Sequence, residues 1–197
     1  MHKKVFRSFK SDLSFLFIME YQYEQKIPKE RIAVLIGKNG EIKEELESLT
    51  KTKINVDSTE GDIIISGPDS INLYALKEVI RAIGRGFNPE LARLLIKQDY
   101  VLEVIPLLDY LKNKNHLERI KGRVIGAGGK SRTTIEQLTQ TYICVYGKTI
   151  SIIGLSEGVV LAKKAIESLV QGSPHANVYR WLEKARRKIK EQEALNW

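Results

Sequence analysis

Cysteine and histidine are almost missing from this sequence: Cys144 is the only thiol, and His2, His116 and His175 are the only imidazoles in 197 residues. One thiol excludes a disulfide framework, and three histidines so far apart offer no cluster with zinc-site spacing. No grouping of nucleophile, base and orienting residue stands out, so no catalytic residue, metal or cofactor is expected and the chain is not expected to be an enzyme. Any run near the roughly 20 apolar residues of a membrane helix is missing too, which argues against a membrane partner. The nearest approach is Leu13 to Ile18, which follows Lys3, Lys4, Arg7 and Lys10 in the manner of a secretory leader. Ser14 interrupts it, it falls short of the usual leader core of about 7 to 15 residues, and no small-residue cleavage site follows. Residues 1–18 are therefore expected to be an extension outside the fold, on a cytoplasmic protein.

What is present is positive charge and a repeat. The 32 Lys and Arg outnumber the 24 Asp and Glu by eight, a balance that favours polyanionic partners such as nucleic acid. The length suits two modules of about 70 to 90 residues each. Setting Gly37 on Gly126, an offset of 89, brings Gly40 onto Gly129, Leu46 onto Ile135, Leu49 onto Leu138 and Thr50 onto Thr139. Thr52 then meets Thr141, Ile54 meets Ile143 and Val56 meets Val145. Dropping two residues in the next turn places Ile63 on Ile150, Ile65 on Ile152, Gly67 on Gly154 and Ala75 on Ala162. The matches are mainly apolar positions and glycines, so one folding unit is present twice.

Periodicity gives that unit an element order. In the first copy a strand over 21–27 precedes a short helix over 31–36 and a second helix over 41–51, with Ile42, Leu46 and Leu49 on one face. Alternation then predicts strands over 53–56 and 62–66, and a long helix runs from about Asp69 to Ala82. The second copy repeats this as a strand over 100–105, helices over 117–125 and 130–140, strands over 141–146 and 149–153 turned at Gly147-Lys148, and a helix over 157–170. Gly84-Arg85-Gly86 and Pro89 mark a boundary, and Pro89 to Lys97 is expected to form a bridging helix. The expected divisions are 19–86, a linker over 87–98, 99–171, and a tail over 172–197.

Each copy carries Gly-x-x-Gly between its two short helices: Gly37-Lys38-Asn39-Gly40 and Gly126-Ala127-Gly128-Gly129. With 14 glycines, about one such match is expected by chance. Two matches at equivalent points, each preceded by isoleucine, are a signal. A sharp helix junction without side chains lets a phosphate backbone lie against peptide N–H groups while the next helix presents its positive end. Arg31, Lys38, Lys43, Lys51 and Lys53 surround the first loop, and Arg119, Lys121, Arg123, Lys130 and Arg132 the second.

This arrangement resembles the KH domain, whose Gly-x-x-Gly loop holds about four single-stranded nucleotides. The order β-α-α-β-β-α is that of the type I version. The resemblance implies an α+β chain of two tandem type I KH domains, each a three-stranded antiparallel sheet packed by three helices, plus a C-terminal helix. It also implies an apolar groove for bases, drawn here from Ile36, Ile54 and Val56 or from Ile125, Ile143 and Val145, about half of which are expected to be core residues alone. Gly122-Arg123-Val124-Ile125-Gly126, and Gly172-Ser173-Pro174-His175 followed by a helix with Tyr179, Trp181 and Leu182, are similar to the KH proteins of small-subunit ribosome assembly, the Dim-two or partner-of-Nob family, especially its archaeal members. That likeness covers residues 20 to about 190. It implies binding of single-stranded RNA near the 3′ end of the small-subunit (16S) ribosomal RNA, alongside a processing nuclease, a dimethyltransferase or an assembly kinase. Eukaryotic relatives tend to lose the first glycine loop, which this chain keeps, and the second copy is favoured for RNA because the family-specific residues flank it. Val178, Leu182, Ala185 and Ile189 form an apolar stripe on the last helix, opposite a basic face of Lys184, Arg186, Arg187, Lys188 and Lys190.

Three other readings compete. Gly126 to Ser131 ends like the phosphate loop of a nucleotide triphosphatase, but Val124 stands where that motif needs glycine and a helix precedes the loop where a strand should. A protein scaffold on KH folds would suit the uncharged Ala127-Gly128. A binder of messenger RNA or single-stranded DNA would suit the same groove. The expected outcome of a phosphate-release assay with ATP or GTP, with and without RNA, is no turnover above background.

Overall fold

The computed structural model describes residues 21–110 and 116–195, so the expected extension over 1–18 lies outside the described residues. The chain divides into two compact units, with the boundary between Ile96 and Lys97.

In the first unit, β1 (Tyr21–Lys26) leads into α1 (Lys29–Ile36), a single 3₁₀ turn over Lys38–Gly40, and α2 (Glu41–Thr50). Strands β2 (Lys53–Asp57) and β3 (Asp62–Gly67) follow, then α3 (Ser70–Gly84), whose first turn is capped by Asp69 accepting from the Ile71 amide. The sheet is antiparallel in the order β1-β3-β2, so β2 is an edge. The second unit repeats the plan with β4 (Tyr100–Pro106), α5 (His116–Ile125), a 3₁₀ turn over Ala127–Gly129, α6 (Lys130–Thr139), β5 (Thr141–Tyr146), β6 (Thr149–Leu155) and α7 (Ser156–Val170). Its order, β4-β6-β5, again leaves the middle strand of the sequence at the edge. α8 (His175–Leu195) closes the chain.

The register shows where the copies differ in length. Tyr21 pairs with Gly67 and Val101 with Gly154, so Tyr21 answers to Val101 at an offset of 80. At the glycine loops the offset is 89. Nine extra residues therefore lie between β4 and the second glycine loop, beginning with a 3₁₀ turn at Leu107–Tyr110 and including two that lengthen α5 relative to α1. The fold absorbs them without moving the strand end: the Ile27 amide donates to Gly61 O at 3.1 Å, and the equivalent Leu107 amide donates to Lys148 O at 2.9 Å.

Each core is aliphatic and buried between sheet and helices. Leu35, Leu46, Ile54, Ile63, Ile65, Leu73, Leu76 and Ile80 fill the first. Ile120, Val124, Ile135, Ile143, Ile150, Ile152, Ala162 and Ile166 fill the second. Full burial of such side chains stabilises by about 1.5–3 kcal/mol each. A buried polar pair recurs beside them. Thr50 and Thr52 share a hydroxyl hydrogen bond of 2.7 Å, and Thr139 and Thr141 one of 2.9 Å, while the Thr50 and Thr139 hydroxyls donate to the carbonyls of Leu46 and Ile135. The neighbouring strand must yield space for this pair. A Cβ on Gly67 would stand 2.9 Å from Thr52 Cγ2, and one on Gly154 2.7 Å from Thr141 Cγ2, which accounts for glycine at both repeat positions.

One segment differs from expectation. The bridging helix over 89–97 is one short helix, α4 (Pro89–Ala92), capped by Asn88 and continued as a 3₁₀ turn to Ile96. It docks on the first unit: Phe87, Ala92 and Leu95 are buried, and Arg93 pairs with Glu45 of α2. The C-terminal helix, by contrast, uses the expected apolar stripe: Val178 and Leu182 of α8 enter the core of the second unit.

Gly154→Ala should destabilise the second unit by about 1–3 kcal/mol through overpacking. Thr141→Ser, which removes the methyl and keeps the hydroxyl, should recover part of that loss; urea denaturation of the four-member mutant cycle measures it.

Candidate nucleic-acid interface

The two glycine loops have one backbone conformation. Gly37, Asn39 and Gly40 have φ of +74°, +56° and +89°, and Gly126, Gly128 and Gly129 have +73°, +57° and +80°. Each loop reverses the chain in a single turn closed by the Gly40 amide on Gly37 O (3.4 Å) or the Gly129 amide on Gly126 O (3.2 Å). No side chain caps the helix that follows in either copy. The first amides of α2 and α6 are therefore left to solvent or a ligand, and anions favour such a helix start.

The glycines do different jobs. A Cβ on Gly37 would stand 2.9 Å from the Ile42 backbone N, and one on Gly126 2.8 Å from the Ser131 backbone N, so these two are required by the close approach of the next helix. Gly128 and Gly129 face open space, where an added Cβ would meet nothing within 4 Å, and one on Gly40 would meet only Glu44 Oε1 at 3.7 Å. Lys38, Asn39, Ala127 and Gly128 lie at the surface.

Electrostatics separate the copies. α2 begins with Glu41 and Glu44, whose carboxylates already occupy the field of its positive end, whereas α6 begins with Lys130 and has no acid in its first turn. The second loop thus presents bare amides together with the exposed Lys130 and Arg132, while the first presents Lys38 against two glutamates.

A cation–carboxylate–strand relay, not foreseen from the sequence, links each loop helix to the sheet edge. Glu47 Oε1 accepts from the Ile54 amide at 2.7 Å, and Glu136 Oε1 accepts from the Ile143 amide at 2.7 Å. Lys43 pairs with Glu47 and Arg132 with Glu136, both at 3.8 Å. All four residues obey the offset of 89, which was the signal that would have found them. The outward amides of Ile54 and Ile143 imply, by the alternation of an antiparallel ladder, that Val56 and Val145 also turn their N–H and C=O away from the sheet. Ile36 and Val56 in the first unit, and Ile125 and Val145 in the second, are half-buried.

Three expected contacts move out of the site. Ile54 and Ile143 are 1% and 4% exposed, committed to the cores and out of reach of a base. Arg123 is turned the other way: its Nε donates to Leu169 O at 2.9 Å and its Nη2 to Ser173 O at 2.7 Å, clasping α5 to the end of α7. Arg31 makes the same clasp in the first unit with Ile83 O and Phe87 O, from a position one helical turn earlier in the aligned helix. Arg119 is exposed on α5, two turns before the loop, and Lys121 pairs with Glu118 at 2.9 Å. Among the described residues no group of acids, histidines and cysteine could hold a metal. The triphosphatase reading meets a direct obstacle, because Gly126 to Ser131 follows a helix and not a strand.

Two sheets flanked by paired helices, each with a bare Gly-x-x-Gly junction beside an edge strand, define a tandem KH-domain RNA-binding protein. Comparison with known proteins agrees: residues 22–82 match the KH domain model, and residues 101–187 match the model of the eukaryotic-type KH domain, type I, built on the second KH domain of PNO1. A KH domain-containing protein of Methanocaldococcus jannaschii is 45% identical over 176 residues, covering 87% of this chain and 77% of its own length. The crystal structure of Dim2p from Pyrococcus horikoshii superposes with a TM-score of 0.78 at 44% identity, covering 83% of this chain and 98% of that one. A second structure from that organism, an a/eIF2alpha–aDim2p–rRNA complex, gives a TM-score of 0.82 at 42% identity over 88% of this chain and 97% of that one. The RNA-binding protein pno1 of Drosophila melanogaster is 33% identical over 114 residues, 57% of this chain and 48% of its own length, so the chain spans about half of that relative. The chain belongs to the Dim2/PNO1 family of KH-domain proteins, and relatives from Aspergillus fumigatus and Schizosaccharomyces pombe are named pre-rRNA-processing proteins. No helix among the described residues is long and apolar enough to cross a membrane.

Lys130→Ala and Arg132→Ala should each lower the slope of log affinity for RNA against log salt by about one. Arg123→Met should leave that slope alone and cost about 1.5–3 kcal/mol of stability by stranding two carbonyls; salt titrations and urea melts of the three variants separate the roles.

Proposed function

We propose that this protein binds the single-stranded 3′ end region of the small-subunit (16S) ribosomal RNA during ribosome assembly in the cytoplasm, chiefly through its second glycine loop. The observation that carries this reading is the contrast at the helix starts: Gly126–Gly129 opens onto an α6 with Lys130 and Arg132 and no first-turn acid, beside an edge strand with outward-facing amides. Phosphates rest on the loop and the first amides of α6, and bases enter the slot between Ile125 and Val145. Gly126, Ala127, Gly128, Gly129, Lys130 and Arg132 are the primary contacts. Gly37, Lys38, Asn39, Gly40 and Lys43 form the weaker, first site. The ribosomal target is supported by the relatives, one named a pre-rRNA-processing protein and one held in an rRNA complex with a/eIF2alpha. A processing nuclease, a dimethyltransferase and an assembly kinase are the partners such a position would bring together.

The test pairs a loop variant with a choice of RNA. Gly128→Asp combined with Gly129→Asp puts two carboxylates where the phosphates lie, at positions with open space and a left-handed φ that Asp tolerates. Gel-shift affinity for an oligonucleotide copying the 3′ end of small-subunit rRNA should fall by at least about a hundredfold, with melting nearly unchanged. Unchanged affinity refutes the loop assignment. Crosslinking and sequencing of bound RNA should give a single ribosomal peak, and a spread of transcripts would replace this reading with that of a messenger RNA binder.

A further inference from the structure

Beyond the glycine loops, α7 and α8 form a shallow cleft of about 330 Å³ lined by Lys164, Glu167, Ser168, Gln171 and Trp181. Trp181 contributes little to the core, which α8 reaches through Val178 and Leu182, and 40% of it is exposed. Part of its aromatic surface is therefore open to a ligand. The flank of α8 that carries Trp181 also carries Lys184 and Lys188, both exposed, and Lys164 is exposed across the cleft. Among the described residues none of these three lysines has a carboxylate within ion-pair distance. The one acid in the cleft, Glu167, lies near the Tyr110 hydroxyl, whose pKa burial and then the Glu167 charge hold above the usual tyrosine value. An open aromatic face among unpaired cations is the combination that stacks a base and holds its phosphates. A protein-docking anchor has the opposite setting, an apolar surround depleted of lysine.

The cleft is also tied to the second loop. Arg123 Nη2 donates to Ser173 O at 2.7 Å, and His175 Nε2 lies 2.8 Å from Arg123 O, so α8 starts against the end of α5, three residues before Gly126. Trp181 is six residues further along α8, about 9 Å of helix.

We infer that the α7–α8 cleft is a second RNA contact of the second unit, in which Trp181 stacks a base and Lys164, Lys184 and Lys188 hold the phosphates of a strand extending past the glycine loop. This rests on the RNA-binding reading above, and its test is built to fail separately. In the full chain with Trp197→Phe, only Trp181 fluoresces as a tryptophan. Titration with an RNA of about sixteen nucleotides copying the 3′ end of small-subunit rRNA should quench it, whereas one of about six nucleotides, enough for the loop, should not. Trp181→Ala should weaken the longer RNA about tenfold and the shorter one negligibly. Lys184→Glu with Lys188→Glu, both on the surface, should weaken the longer RNA with unchanged melting. If the longer RNA binds the parent chain but leaves Trp181 emission and the Trp181→Ala affinity unchanged, the cleft makes no RNA contact and the inference falls while the loop reading stands. If neither RNA binds, both fall.

Discussion

A helix junction that leaves no room for a side chain is the constraint on which both units depend. At Gly37 and Gly126 the chain leaves one helix with φ near +74° and passes so close to the next that a Cβ would lie within 3 Å of its backbone. That approach packs α1 against α2 and α5 against α6, and it turns the first amides of the second helix away from any capping side chain. Fold and site therefore have one cause. The turn that brings the helices together is the turn that exposes their peptide groups.

Around that junction the copies share a set of polar contacts and differ in charge. The threonine pair, the glycine opposite it and the glutamate on the edge-strand amide recur at matching positions with nearly identical distances. The arginine clasp recurs in function and not in position, since Arg31 and Arg123 approach carbonyls one residue apart in the alignment from successive turns of the aligned helix. A clasp reached by two routes is under geometric demand: the carbonyls at the end of the third helix need a donor, and any long cationic side chain in reach supplies it.

Much of this was legible in the residues. The offset of 89 and its drop of two are the glycines and aliphatics of the cores, and alternation against helical spacing placed six strands and the principal helices within a few residues. The site was legible in part, because glycine spacing records backbone shape. Side-chain direction was not. Arg123 lies three residues from Gly126, yet its helical position points it at α7, and Ile54 and Ile143 alternate inward on edge strands that expose their neighbours. Proximity in sequence to a loop says nothing of the face on which a residue emerges. The nine extra residues between β4 and the second glycine loop hid the strand register for a similar reason, as few identities mark β1 and β4.

Retention of glycine in the first loop then has a meaning separate from RNA. Gly37 is held by contact with Ile42 whatever the loop binds, and Asn39 occupies a left-handed conformation that asparagine accepts. The residues free to vary are those facing open space, and there the copies part: Gly128 and Gly129 with lysine and arginine beyond them, against Asn39 and Gly40 with glutamates beyond. Where the fold makes no demand, the choice of charge reports on the ligand. A helix start that supplies its own carboxylates has satisfied its field internally, and one that supplies cations leaves that field to solvent or to an anion from outside.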